Sequence, residues 1–161
     1  MKTDVKKRLI RNLKIVTGVI ALAGVLILHF MTNETFGFFG EPVEKSAMWT
    51  EGIEWLQSGI IILRFLGAFT FFICLVAVVM NFIDGVRSGT LFPRKNIALL
   101  NICSVAVFIY LLSSNNLHIV TDAERVFMIN IETMLVPAII AVFTIMYEAA
   151  VRISEENSLT I

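Results

Sequence analysis

The sequence predicts an all-α fold, an integral membrane four-helix bundle with both termini cytoplasmic, on three observations. Phe65 to Ile83, FLGAFTFFICLVAVVMNFI, is a run of 19 residues without a charge, three further apolar runs flank it, and the lysines and arginines collect in alternate connections. As a helix rising about 1.5 Å per residue that run is roughly 28 Å long, the hydrocarbon thickness of a bilayer.

Composition points the same way. Of 161 residues, 57% are hydrophobic and 16% charged, against about 25% charged in soluble domains. Four spans of about 20 residues use half of such a chain and leave loops too short for a separate soluble catalytic domain. One transmembrane domain over 1–161 is expected, with spans at about 13–32, 59–84, 96–113 and 128–148. Cys74 and Cys103 both fall in apolar runs, far from any Cys or His at metal-ligand spacing, and read as buried free thiols.

The first element begins with Lys2, Lys6, Lys7, Arg8, Arg11 and Lys14, followed by the apolar Ile15–Met31. The apolar run is long for a secretion signal and no small-x-small site follows Met31, so a retained span is expected. Thr32 to Ser58 carries Glu34, Glu41, Glu44, Glu51 and Glu54 with Phe36, Phe38, Phe39, Trp49 and Trp55. Acidic loops with embedded rings suit an outer face whose aromatics rest at the lipid–water boundary. Ser46 is a candidate helix cap there.

The second span contains Arg64 and ends in the basic turn DGVRSGTLFPRKN, Asp84–Asn96, in which Gly85 and Gly89 read as a helix C-terminus and turn. The third, Ile97–Leu112, is interrupted by Asn101 and Ser104, and Ser114–Phe127 reads as a polar loop. The last holds Asn130, Glu132, Thr133 and Pro137. With the N-terminus inside, the inner side gathers its six cations plus Arg87, Arg94, Lys95 and Arg152, whereas the outer loops hold only Lys45 and Arg125. This is a positive-inside pattern.

Two polar groupings follow from depth. Arg64 lies 19 residues before Ile83 and Glu132 lies 15 before Tyr147, which puts both in the outer leaflet within about 6 Å in depth. An ionisable group inside a span is a functional-site hypothesis because an unpaired charge there costs about 2.5–3.5 kcal/mol. A structural ion pair, or snorkelling to headgroups and loop water, accounts for the same residues. Asn81 and Asn101 are expected to share a hydrogen bond across the central hairpin. His29 and His118 have no companion at metal-ligand spacing, and no catalytic, metal or cofactor-binding motif is expected, nor a nucleic-acid footprint. The chain reads as non-enzymatic.

Two segments, GVRSGTLFPRKNIALLN at Gly85–Asn101 and RISEENSLTI at Arg152–Ile161, resemble segments of the bacterial four-span proteins catalogued as domain of unknown function 2975. The sequence departs from that pattern at Pro93 and Ser158, and proline suits a first helical turn. The resemblance implies a bacterial inner-membrane protein of about this length. The molecular function of that family is not established, so no catalytic residues come with it, but a cytoplasmic helix-turn-helix regulator is implied as a partner.

Both segments face the cytoplasm in the orientation above. Arg87, Phe92, Arg94, Lys95 and Asn96 would stand opposite Glu155, Glu156, Asn157, Leu159, Thr160 and Ile161, either as charges clamping helix ends or as a docking surface with an apolar C-terminal hook. Two functions are therefore expected: protein–protein interaction at the cytoplasmic face or, as the alternative, a small transporter or channel subunit with a polar path around Arg64 and Glu132. The lipid bilayer is the other partner. The number of copies in the assembly is not readable.

Overall fold

Apolar runs of this length have one way to satisfy their backbone polar groups without water, which is to coil as helices. The computed structural model describes residues 3–36, 49–90, 92–122 and 125–159, and among them the regular elements are all helices. They are α1 (Thr3–Phe36), α2 (Glu54–Ser88), α3 (Lys95–Asn115), the single turn α4 (His118–Thr121) and α5 (Ile131–Leu159). Four stretches, Asp4–Thr35, Glu54–Ser88, Lys95–Thr121 and Ile131–Asn157, are long and apolar enough to cross a membrane. This is the mark of a multi-pass membrane protein. Lys45, Ser46, Phe38, Phe39, Glu41, Glu44, Thr160 and Ile161 lie outside the described residues, as does the side chain of Leu159.

Helices α1, α2 and α3 run past the expected spans at both ends, whereas α5 starts at Ile131 and not at 128. The late start has a side-chain cause. Asn116 Oδ1 accepts the Met128 N–H at 2.7 Å and Asn116 Nδ2 donates to the Met128 carbonyl at 2.8 Å, which holds that residue out of the helix.

Contacts between helices follow chain order: α1 on α2, α2 on α3, α3 on α5. The α2–α3 hairpin is the most closely packed, and Gly67 is the reason. A Cβ at Gly67 would stand 2.8 Å from the Tyr110 nitrogen and 2.9 Å from the Ala106 carbonyl oxygen, both backbone atoms of α3. Between α1 and α2, Gly24 receives the Phe72 ring. The turn after α2 is closed by Gly89 at φ +92°, a left-handed residue, with the Thr90 N–H on the Gly85 carbonyl at 2.8 Å.

The expected polar loop after α3 is partly core. Leu117, Ile119 and Val120 are buried against Ile60 and Ile61 of α2, so the chain folds back over the end of the hairpin. Outside, the large apolar side chains face outward along every span, among them Val19 and Val25 on α1, Ile73 on α2, Val105 on α3 and Phe143 on α5. A surface this apolar has lipid as its natural solvent.

Candidate functional site

The connectivity puts the start of α1, the α2–α3 turn and the end of α5 at one end of the molecule. We call it the terminal end, and the opposite end distal. Polar side chains concentrate at both.

At the distal end Arg64 is buried, with 5% of its surface exposed. Its Nη2 donates to Glu34 Oε2 of α1 at 2.5 Å and its Nε donates to Ser114 Oγ of α3 at 3.2 Å. One guanidinium thus joins three helices, as its rigid fork of donors permits. Nη1 has no hydrogen-bond partner among the described residues. The expected partner was Glu132, but its side chain is exposed on α5, and the structure brings Arg64 to Glu34 instead. Depth alone does not choose between the two carboxylates. Lateral order does, because α1 packs on α2 whereas α5 packs on α3.

Around Arg64 stands a set of amides that the sequence reading did not single out. Gln57 is fully buried and donates through Nε2 to the Ile119 carbonyl at 3.0 Å, while its Oε1 accepts the Thr50 N–H at 3.0 Å. Asn115 Nδ2 donates to Thr133 Oγ1 at 2.7 Å, tying the end of α3 to the start of α5. The ring nitrogens of His118 lie 3.1 Å from the Asn115 carbonyl and 2.7 Å from that of Val126, so this histidine braces the loop. Tandem Asn115–Asn116 between an apolar run and LHIV was the available signal. Asn116 satisfies the main chain at Leu112 and Met128, and Asn115 the Thr133 hydroxyl.

Asn81 and Asn96 meet inside the terminal half. Asn81 Nδ2 donates to Asn96 Oδ1 at 2.9 Å, and Asn96 Nδ2 donates to the Val78 carbonyl at 3.2 Å. Two expectations change here. Asn81 bonds Asn96 rather than Asn101, and Asn96 is fully buried, so it is part of the packing and not of an interaction surface. Five residues at about 100° each place Asn101 roughly 140° round α3 from Asn96, so only one of them can face Asn81.

The remaining candidates do converge at the terminal end. Arg94 Nη1 lies 3.6 Å from Glu155 Oε2 across the α3 and α5 ends. Tyr147 Oη donates to the Pro93 carbonyl at 3.0 Å, and its ring takes those of Phe82 and Phe92 edge-on. Phe92 lines a surface cleft of about 350 Å³ with Ala150, Ile153, Ser154 and Asn157. Beside it Lys95 and Arg94 border a second cleft of about 420 Å³, opposite Asp84 and Ser88. Arg87 is salt-bridged to Asp84 at 3.4 Å, and its carbonyl accepts from Lys6 Nζ at 2.7 Å, which brings the start of α1 to the same end. Glu156 and Asn157 are exposed on the last turns of α5. The arrangement offers cationic side chains and an apolar notch side by side.

No family model, curated protein or solved structure matches this chain.

Proposed function

We propose that this chain is a non-enzymatic multi-pass protein of the bacterial inner membrane, of the kind catalogued as domain of unknown function 2975. It crosses four times with both termini in the cytoplasm, and acts by protein–protein contact at its terminal end, with a helix-turn-helix regulator as the partner.

One observation carries the reading. The two segments on which the resemblance rests, Gly85–Asn101 and Arg152–Ile161, are separated by fifty residues of chain, yet their described parts adjoin through Arg94 and Glu155 and through the cleft that Phe92 shares with Asn157. Holding a helix end in place does not need this many exposed charges. An exposed ion pair contributes about 0–1 kcal/mol, so Arg87, Arg94 and Arg152, each more than half exposed, are better accounted for as groups available to a partner. The cationic end also fits the inside of the membrane.

The test is co-purification of the full chain with a co-expressed helix-turn-helix regulator encoded beside its gene. Deleting Arg152–Ile161, or making Arg94→Glu, is expected to abolish capture while membrane insertion persists. Capture at the wild-type level by both variants would overturn the proposal.

A further inference from the structure

We infer that the chain pairs with a second copy of itself in the membrane, through the open face of the α2–α3 hairpin centred on Asn101. The inference rests on the membrane reading above, and not on the identity of any regulator.

Below the close approach at Gly67 the two helices leave a groove of about 380 Å³, floored by Gly67 and Ala106 and edged by Leu66, Thr70, Asn101 and Val105. The chain's other helices are seated elsewhere: α1 lies on α2 through Gly24 and Phe72, and α5 lies on α3, with Ser104 Oγ donating to the Pro137 carbonyl at 2.9 Å. Neither closes the groove. Leu66 and Val105 are both more than half exposed beside it.

Asn101 identifies the occupant. It lies at the end of the second turn of α3, six residues or about 9 Å past Lys95, exposed among Ile102 and Val105, and its side chain makes no hydrogen bond to the described residues. A carboxamide is too short to reach the headgroups from there. Hydrocarbon leaves its two donors and its acceptor unmatched, so an acyl chain can fill the groove but cannot satisfy the amide. A polar side chain on another helix can.

Symmetry then selects the partner. A two-fold axis along the membrane normal leaves every residue at its own depth, so an axis passing beside the groove brings Asn101 of one copy to Asn101 of the other. A carboxamide both donates and accepts, and is therefore complementary to itself. The small residues on the groove floor let the facing helix come close, as small residues do between helices in lipid.

The experiment is Förster transfer between copies labelled through N-terminal fusions in phosphatidylcholine and phosphatidylglycerol vesicles, titrated by lipid dilution. Transfer is expected to rise and saturate with protein density as for a dimer. Asn101→Leu should weaken association about tenfold, the scale of one or two interhelical amide hydrogen bonds in lipid. Val105→Trp, which fills the groove, should abolish it, and Val142→Trp on the exposed face of α5 should leave it unchanged. Transfer absent at every dilution, or dimers indifferent to both Asn101→Leu and Val105→Trp, would overturn the inference, as would native mass spectra in which a monomer retains a lipid that Val105→Trp displaces. Vesicle flotation separates the two readings: a chain that does not float sinks the membrane assignment and the dimer together, and one that floats as a monomer sinks only the dimer.

Discussion

Arg64 of α2 and Glu34 of α1 form an ion pair of unequal burial, the guanidinium side chain 6% exposed and the carboxylate 54%. The arginine therefore depends on the pair more than the glutamate does. Removing one partner of a fully buried pair costs about 3–5 kcal/mol, and the half-exposed carboxylate reduces that through solvent screening. Glu34→Gln is expected to destabilise the protein by about 1–2 kcal/mol in thermal unfolding in detergent, whereas Glu132→Gln changes it by less than about 0.5 kcal/mol. A double-mutant cycle with Arg64→Met should show coupling to Glu34 and none to Glu132. The reverse pattern would refute the pairing.

Gly67 sets the distance between α2 and α3. An added methyl group meets three backbone atoms of α3, which cannot swing aside as a side chain would, so the helices must separate. Gly67→Ala is expected to cost about 1–3 kcal/mol. Gly18→Ala on α1, where a Cβ meets nothing within 4 Å, should be neutral or slightly stabilising. Equal effects at the two positions, read from denaturation midpoints in the same micelles, would argue against a close approach at Gly67.

The asparagines divide by role. Asn96→Leu leaves the Asn81 amide and the Val78 carbonyl without their bonds in a buried setting, and should destabilise the monomer by about 1–2 kcal/mol. Asn101→Leu should leave monomer stability within about 0.5 kcal/mol and change only self-association. If unfolding of the two variants is indistinguishable, the assignment of Asn96 to the packing fails.

The start of α1 and the end of α5 lie at the end that carries Lys6, Arg87, Arg94 and Arg152. Green fluorescent protein should therefore fluoresce when fused at either terminus, and alkaline phosphatase should be active only when inserted in one of the two distal connections, near Lys45 or near Arg125. An active phosphatase at either terminus would invert or break the four-span topology.

The spans were legible because length and apolarity alone make a helix that fits a bilayer, and α1, α2, α3 and α5 lie where those runs are. The end of the helix was legible too, since a helix stop followed by a left-handed residue leaves a local trace at Gly89, whereas Gly85 lies inside the last turn of α2. What the sequence withheld was azimuth. Arg64 has acidic residues at matching depth on two different helices, and Asn81 has asparagines at two positions on α3. Which one it meets depends on the lateral order of helices and their rotation, properties of packing and not of any single segment. The burial of Leu117, Ile119 and Val120 was hidden for another reason: three apolar residues among polar ones are too few to show a period.

Each extensive interface joins helices that are neighbours along the polypeptide. During synthesis, then, every newly delivered helix finds the surface it must rest on already waiting in the bilayer, and none has to idle until a later one arrives. Assembly can keep pace with the ribosome, and a truncated chain ending after α3 would still hold its first three helices in their final places.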